Sequence, residues 1–302
     1  MLHLVWTVTL NPALDYVLKT ENLTTDDINR ATEEKIFFGG KGINVSVILN
    51  RLGVKSSALG FVGGFTGEKL TAMLKKEGII CDFTNIRGDT RINVKIRAAK
   101  ELDINANGPE ITKTELQEFF AKLDKVKSGD YLVLSGSVPE KIPNDIYEKI
   151  LKHLDGKDVN FVIDSTDKLL LNTLKYKPFL IKPNHHELGA IFNKKTETDE
   201  QIIDCAFKLQ KAGAQNVLVS RAENGAILID ANGCIHKCGA VKGRLINSVG
   251  CGDSMVGGFI AGYIKENDFD CALKLGIACG CATAFCEGLA DKEKIKNILN
   301  SF

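Results

Sequence analysis

Residues 250–253 read Gly-Cys-Gly-Asp, and an apolar helical pattern from Ser254 to Tyr263 follows at once. Successive backbone N–H groups in a glycine-rich turn at a helix start form an anion-binding nest. Such a nest suits a phosphoryl group, whose charge spreads over its oxygens during transfer. Asp253 would then sit where it could take a proton from an attacking hydroxyl. The plainer alternative is a loop-to-helix junction with an acidic cap. Gly257, Gly258 and Gly262 lie inside the helical pattern. Each costs about 1 kcal/mol against Ala, which close packing on a neighbour or ligand would offset.

A second glycine cluster, Gly39-Gly40-Lys41-Gly42-Ile43-Asn44, precedes another helical pattern through Val45, Ile48, Leu49 and Leu52. Glycines let a backbone approach a ligand closely, and a helix N-terminus favours anions. Lys41 supplies a point charge for a phosphate, and Asn44 a neutral donor and acceptor suited to sugar hydroxyls. The spacing is not that of a P-loop. A strand–turn–helix junction with a surface lysine remains open on these residues alone.

Bulk properties narrow the setting. The 302 residues are 44% hydrophobic and 25% charged, as in an ordinary globular protein with a sizeable core. The formal net charge of +1 gives no global attraction to nucleic acid or anionic membrane. An anionic ligand must therefore be held by local groups. The N-terminal run has no basic n-region and reads as a strand rather than a signal peptide. No apolar run reaches the roughly 18 residues of a membrane span, so a cytoplasmic location is expected. Nine cysteines show no disulfide spacing and are expected to be thiols. Cys234, His236 and Cys238 alternate along one strand face, but no fourth metal ligand is near. Cys279, Cys281 and Cys286 are expected in the core of an Ala-rich helix.

The elements that must position these residues alternate. Apolar β-rich runs at 2–10, 56–63, 130–136, 160–165, 179–183 and 216–220 read as strands covered on both faces. Amphipathic stretches at Ile43–Leu52, Gly67–Glu77, Lys113–Lys125, Asn144–His153 and Glu200–Lys211 read as helices. The alternation predicts an α/β fold, helices flanking a mainly parallel sheet. Asn232-Gly233 marks a hairpin. Tyr16–Phe38 and Thr90–Ile104 break the pattern as polar, alternating segments without a helix between them. They are expected to form a small projecting β lid, about 13–38 and 88–105, on a single catalytic domain.

With both motifs in hand, the chain resembles the PfkB family of sugar kinases along nearly its whole length. "GGKGINVSVILNRLG" is similar to the family's N-terminal signature and "NSVGCGDSMVGGF" to its C-terminal one. "TVTLNPALDYV", "TRINVKI", "LSGSVP", "IKPNHHELGAIF" and "SRAENGAIL" resemble the phosphosugar branch. The resemblance implies a ribokinase-like α/β/α fold. It implies an ATP- and Mg²⁺-dependent kinase acting on a ketose phosphate. Fructose 1-phosphate is the expected acceptor, with tagatose 6-phosphate and fructose 6-phosphate as alternatives. A catalytically silent sugar-phosphate-binding regulator is the alternative of a different class.

The resemblance also implies roles. Asp253 would be the base, and the backbone of Gly250, Cys251 and Gly252 the anion hole. Asp15, Gly39, Gly40 and Asn44 would hold sugar hydroxyls. Lys41, Arg30 and Arg91 would bracket the substrate's existing phosphate, with Ser137 as a further contact. Lys182, Asn184 and Glu187 would face the nucleotide phosphates, Glu187 reaching Mg²⁺ through water. Ser220, Arg221, Ala222, Glu223, Asn224 and Gly225 would lie along the ATP. His185 and His186 are given no catalytic part. Cys251 stands where the family usually has Ala. A helix N-terminus lowers a thiol's pKa, so Cys251 is expected to be oxidation-sensitive. The lid leaves Val17, Ile36, Phe38, Val94 and Ile96 with too little to pack against, and a homodimer through the lid is expected.

Overall fold

The computed structural model describes residues 4–21 and 23–302. Leu2 and His3 of the first expected strand, and Asn22 of the expected lid, lie outside the described residues. The chain opens with β1 (Val5–Thr9), β2 (Ala13–Lys19), β3 (Glu33–Gly39) and α1 (Lys41–Arg51). Then come β4 (Ser56–Val62), α2 (Gly64–Lys76), β5 (Ile80–Cys81), β6 (Thr84–Asn85), β7 (Arg91–Arg97) and β8 (Leu102–Ile104). The middle holds α3 (Lys113–Leu123), β9 (Tyr131–Ser135), α4 (Ile146–His153), β10 (Asn160–Asp164), α5 (Asp167–Leu171) and β11 (Leu180–Ile181). The last part holds α6 (His185–Phe192), α7 (Asp199–Lys211), β12 (Asn216–Ser220), β13 (Ala226–Ile229) and β14 (Ile235–Cys238). Helices α8 (Cys251–Glu266), α9 (Phe269–Ala284) and α10 (Lys292–Leu299) close it.

The large sheet runs β14-β13-β12-β11-β10-β9-β1-β4-β5, with β6 also on β4. It is parallel from β4 to β12 and turns antiparallel only at the β13–β14 edge. Both faces are covered, which explains the near-continuous apolar strands. Trp6, Val8, Leu132, Leu134, Ile163 and Val217 meet α3, α4 and α7 on one face. Val5, Val133, Val162 and Leu218 meet Val256, Phe259, Ile260 and Ile277 of α8 and α9 on the other. Each such side chain contributes about 1.5–3 kcal/mol on full burial. The glycines inside α8 have the expected packing cause. A Cβ on Gly257 would stand 3.0 Å from Ile48, and one on Gly258 would stand 2.7 Å from the Cys279 sulfur.

The hairpin at 232–233 forms, but its loop spans residues 230–234. Asp230 Oδ1 accepts from the N–H groups of Asn232 and Cys234, and Gly233 takes φ +81°. His236 is held by Asp230 and Asp270, at 3.2 and 2.8 Å. Among the described residues no group of three His, Cys, Asp or Glu is placed to hold a metal. Of the three cysteines near the C-terminus, Cys279 is buried, while Cys281 and Cys286 are half-buried and Cys286 lies beyond the end of α9. No helix among the described residues is long and apolar enough to cross a membrane.

The small sheet runs β3-β2-β7-β8. Its register, Asp15↔Asn93 and Val17↔Lys95, puts odd-numbered residues of β2 and β7 on one face. That face carries Asp15, Val17, Lys19, Lys95 and Arg97 and lines a cleft. The other face carries Tyr16, Val94, Ile36 and Ile104. Val17 therefore faces the cleft and does not belong with the apolar outer set expected from its hydrophobicity. Residues 23–32 also depart from expectation, because they form an exposed connection rather than strand.

Candidate active site

The two glycine motifs meet. Gly40, at φ +125°, precedes α1, and Gly250, at φ +80°, precedes α8. Gly40 is crowded by Thr9, whose Cγ2 would lie 2.6 Å from an added Cβ. Asn44, in the first turn of α1, donates from Nδ2 to Oδ2 of Asp253 at 2.8 Å. Both side chains are buried, at 8% and 5% exposure. Helix α8 has no side-chain cap, so the N–H groups of Cys251 and Gly252 at its start are unmatched within the helix. Unmatched N–H groups at a helix start favour an anion, and the Asp253 carboxylate follows directly.

Asp164 was not singled out from sequence, and it organises the charges. It ends β10, and its Oδ1 lies 3.2 Å from the Lys182 ammonium and its Oδ2 3.5 Å from that of Lys41. Burial works against its charge, but Lys182 and Lys41 hold the carboxyl below its usual range. Lys182 ends in a buried pocket against Gly252, where an added Cβ would stand 3.2 Å from Nζ. Lys182 therefore pairs with Asp164. Burial pushes the Asp253 carboxyl up to about 6, and the nearby Asp164 charge adds to this. Lys41, the Asn44 hydrogen bond and Lys182 oppose the rise. Lys41 is raised chiefly by Asp164, with Asp253 and Glu187 contributing. A carboxylate with a near-neutral pKa beside an anion nest and two ammonium groups can accept a proton while charge builds on a phosphoryl group. The missed signal was positional, since ligands of parallel sheets collect at the carboxyl ends of strands, where "NFVIDS" places Asp164.

Asp15 lies on β2, 9% exposed. Gly39 is pressed on it, with an added Cβ only 2.8 Å from Oδ1. Asp15 and Asn44 both line a cleft of about 570 Å³, within the range of small-ligand sites. Its opposite wall is Leu245–Val249 and Glu287–Leu289. Lys35 bridges the two walls through Glu287 at 2.7 Å.

The cations expected around a phosphate are engaged separately. Lys41 is on Asp164. The Arg91 guanidinium donates to the carbonyls of Asn11 and Ala106. Arg30 is exposed in the 23–32 connection and does not line the cleft. Ser137 is exposed just after Gly136, whose neighbour is the Lys41 stem.

Asn184 and Glu187 form a reciprocal cap on α6, each bonding the other's backbone N–H at 2.8 Å. A parallel bridge between Asn184 and Ser220 sets the next loop beside it. In that loop Ala222–Asn224 make a tight 3₁₀ turn with Ala222 at φ +49°. Arg221 is drawn to Asp199 and to the Asn224 carbonyl, and Glu223 is exposed. Gly225 is obligatory, since a Cβ there would lie 2.1 Å from the Cys238 carbonyl oxygen. The His185 and His186 rings lie with centroids 3.9 Å apart, tilted by 38°.

Cys251 corrects an expectation. Burial pushes its thiol up to about 12, helped by the Asp253 charge, so the helix start does not activate it. Its sulfur points back to the Asn247 carbonyl at 3.5 Å.

Comparisons with known proteins agree with this architecture. The 1-phosphofructokinase of Bacillus subtilis is 42% identical over 296 residues, covering 98% of this chain and 97% of that one. The D-tagatose-1-phosphate kinase of Bacillus licheniformis is 36% identical, covering 97% and 96%. The crystal structure of phosphofructokinase-2 from Escherichia coli in complex with substrates and products matches with a TM-score of 0.93 at 25% identity, covering 98% of each chain. A sequence profile described as pfkB family carbohydrate kinase matches residues 7–296, and the chain belongs to that family.

Proposed function

We propose that the protein is a 1-phosphofructokinase, transferring the γ-phosphoryl group of ATP to fructose 1-phosphate and releasing fructose 1,6-bisphosphate. The observation that carries the reading is the buried Asn44–Asp253 hydrogen bond at the uncapped start of α8. Relatives named 1-phosphofructokinase support the choice of acceptor.

Asp253 takes the proton of the acceptor hydroxyl, and Asn44 holds its carboxylate in place. The N–H groups of Cys251 and Gly252 receive the charge that gathers on the transferred group. Lys41 and Lys182 neutralise it from the side, both oriented by Asp164. Asp15 receives ring hydroxyls within the cleft. Ser220–Gly225 and Asn184 line the nucleotide. Arg91 and Arg30 remain the candidates for the acceptor's own phosphate, Arg91 by exchanging a carbonyl partner.

The site also suits Mg²⁺. Asp164 Oδ2 is buried with only the Lys41 ammonium facing it, at 3.5 Å, and Glu187 offers a second carboxylate close enough to act on Lys41. Hard oxygen ligands with few protein contacts fit a cation that keeps its waters. When bound, Mg²⁺ would neutralise the nucleotide phosphates.

The small sheet would act as the lid. Its outer face leaves Ile36, Ile92, Leu102 and Ile104 at 38–55% exposure, an apolar face that a second copy would cover. The testing experiment is ADP release with ATP, Mg²⁺ and a panel of sugar phosphates. Fructose 1-phosphate is expected to give the highest kcat/KM. A better rate with tagatose 1-phosphate or fructose 6-phosphate would reassign the acceptor, and no ADP with any would leave a binding protein.

A further inference from the structure

The Asp15 carboxylate is gripped from three sides. Asn93 Nδ2 donates to Oδ1 at 2.8 Å across the β2–β7 pair. The Lys95 ammonium stands 3.8 Å from Oδ2. Gly39 closes the third side, with no room for a side chain.

Lys95 is unusual for a lysine. It is 9% exposed, yet it lines the cleft. Its second partner is Asp103 at 3.5 Å, itself held by Arg97 at 2.6 Å. A buried ion pair rarely adds net stability over apolar residues of the same volume. A buried Asp15–Lys95 pair facing a cleft, with the exposed Asp103 behind it, is therefore better explained by a ligand than by folding. Asn93 adds an independent sign: its Oδ1 is buried beside Asp15 with no donor in the protein, an unmet acceptor next to the clamped carboxylate.

We propose that Lys95 is a positioning residue for Asp15 and, through it, sets the stereochemistry of the sugar that the cleft accepts. This rests on the sugar-phosphate kinase reading. A carboxylate offers about four acceptor directions. Asn93 occupies one and Lys95 faces another, so the remaining ones are fixed in space. Two ring hydroxyls of the right configuration meet them. An inverted hydroxyl does not, because a clamped carboxylate cannot rotate to follow it. A polar site left unmatched discriminates more strongly than a loose one.

The test is Lys95→Met, which keeps the aliphatic stem and removes the ammonium. Kinetics are measured with fructose 1-phosphate, with its C4 epimer tagatose 1-phosphate, and with ATP. KM for fructose 1-phosphate is expected to rise about tenfold with kcat within about twofold. KM for ATP should not move, and the ratio of kcat/KM between the epimers should fall at least about threefold. In an Asp15→Asn background the same substitution should add less than about twofold, because Lys95 acts through Asp15. Lys95→Arg should retain most of the discrimination. If Lys95→Met does not fold, Lys95→Gln enters the same cycle. Full additivity with Asp15→Asn, an equal rise in KM for ATP, or an unchanged epimer ratio would overturn the assignment. Wild-type protein inactive on every ketose phosphate would remove the kinase reading itself. An active wild type with a Lys95→Met variant indistinguishable from it would remove only the role of Lys95.

Discussion

Asn44 and Asp253 stand 209 residues apart in sequence, and a 2.8 Å hydrogen bond joins them at the starts of two helices. The bond leaves the second carboxylate oxygen of Asp253 available. Asp253→Asn keeps the shape and removes the proton acceptor. Its kcat is expected to fall by about 10²–10⁴ with little change in sugar-phosphate binding. A variant keeping more than about a tenth of wild-type kcat would remove Asp253 from the role of base, since such a base is ordinarily worth more.

The same carboxylate predicts a pH profile. Asp253 titrates near 6 because burial and Asp164 disfavour its charge. Only the ionised form accepts a proton, so kcat/KM should rise with pH through about 6 and then level. Asp164→Asn removes a neighbouring negative charge and leaves Lys41 and Lys182 uncompensated. Both changes favour ionised Asp253, so the acid limb should move to lower pH even as overall activity drops. An acid limb that stays in place or moves upward would show that Asp164 does not tune Asp253.

Cys251 should be chemically quiet. Its thiol, pushed up to about 12 by burial, is protonated at neutral pH. Iodoacetamide at pH 7.5 is expected to label the exposed Cys234 and Cys271 before Cys251, read by mass spectrometry of peptides. Cys251→Ala should keep kcat within about twofold, since the proposed anion site uses its backbone N–H and not its side chain. Early modification of Cys251 with loss of activity would restore the redox reading.

Away from the site, His236 ties the β14 edge to α9 through Asp230 and Asp270. Burial lowers its pKa, but the two carboxylates outweigh this and raise it above the usual 6.5. A raised histidine stabilises fully below the unfolded value and loses that contribution as pH climbs through the folded value. Facing groups are Asp230, Asp270 and the Phe269 ring. His236→Gln should therefore lower Tm by a few degrees at pH 5.5, about 2–4 °C per kcal/mol in a chain of this size, and by less at pH 9. An equal loss at both pH values would mean that packing, not charge, holds this edge.

The alternation of apolar strands and amphipathic helices was enough to read the parallel sheet, because both faces are covered and the periods are clean. The two glycine motifs were readable because backbone geometry demands glycine there. Asp164 and Lys95 were not, since a carboxylate at a strand end and a lysine on a polar strand look solvated until register buries them. Val17 went to the wrong face for the same reason. Its hydrophobicity said outward, while the two-residue period shared with Asp15 and Lys19 put it in the cleft. Residues 23–31 look like strand in composition but form an exposed connection.

That register leads to the last prediction. Tyr16, Ile36, Val94 and Ile104 share the outer face of a four-stranded sheet, on which Leu14 and Phe38 at one end pack against α1 and α2. Ile104 is 55% and Ile36 41% exposed. A sheet of so few strands gains stability from a covered apolar face, and a two-fold copy of the same face is self-complementary. Light scattering at micromolar concentration is expected to give twice the 33.0 kDa protomer mass. Ile104→Asp places a charge on the exposed β8 edge of the proposed contact while leaving the cleft face untouched. It should yield protomers with reduced activity, because the small sheet carries Asp15 and Lys95 into the site. A wild type of protomer mass with full turnover would rule the paired lids out. So would an Ile104→Asp variant that remains dimeric.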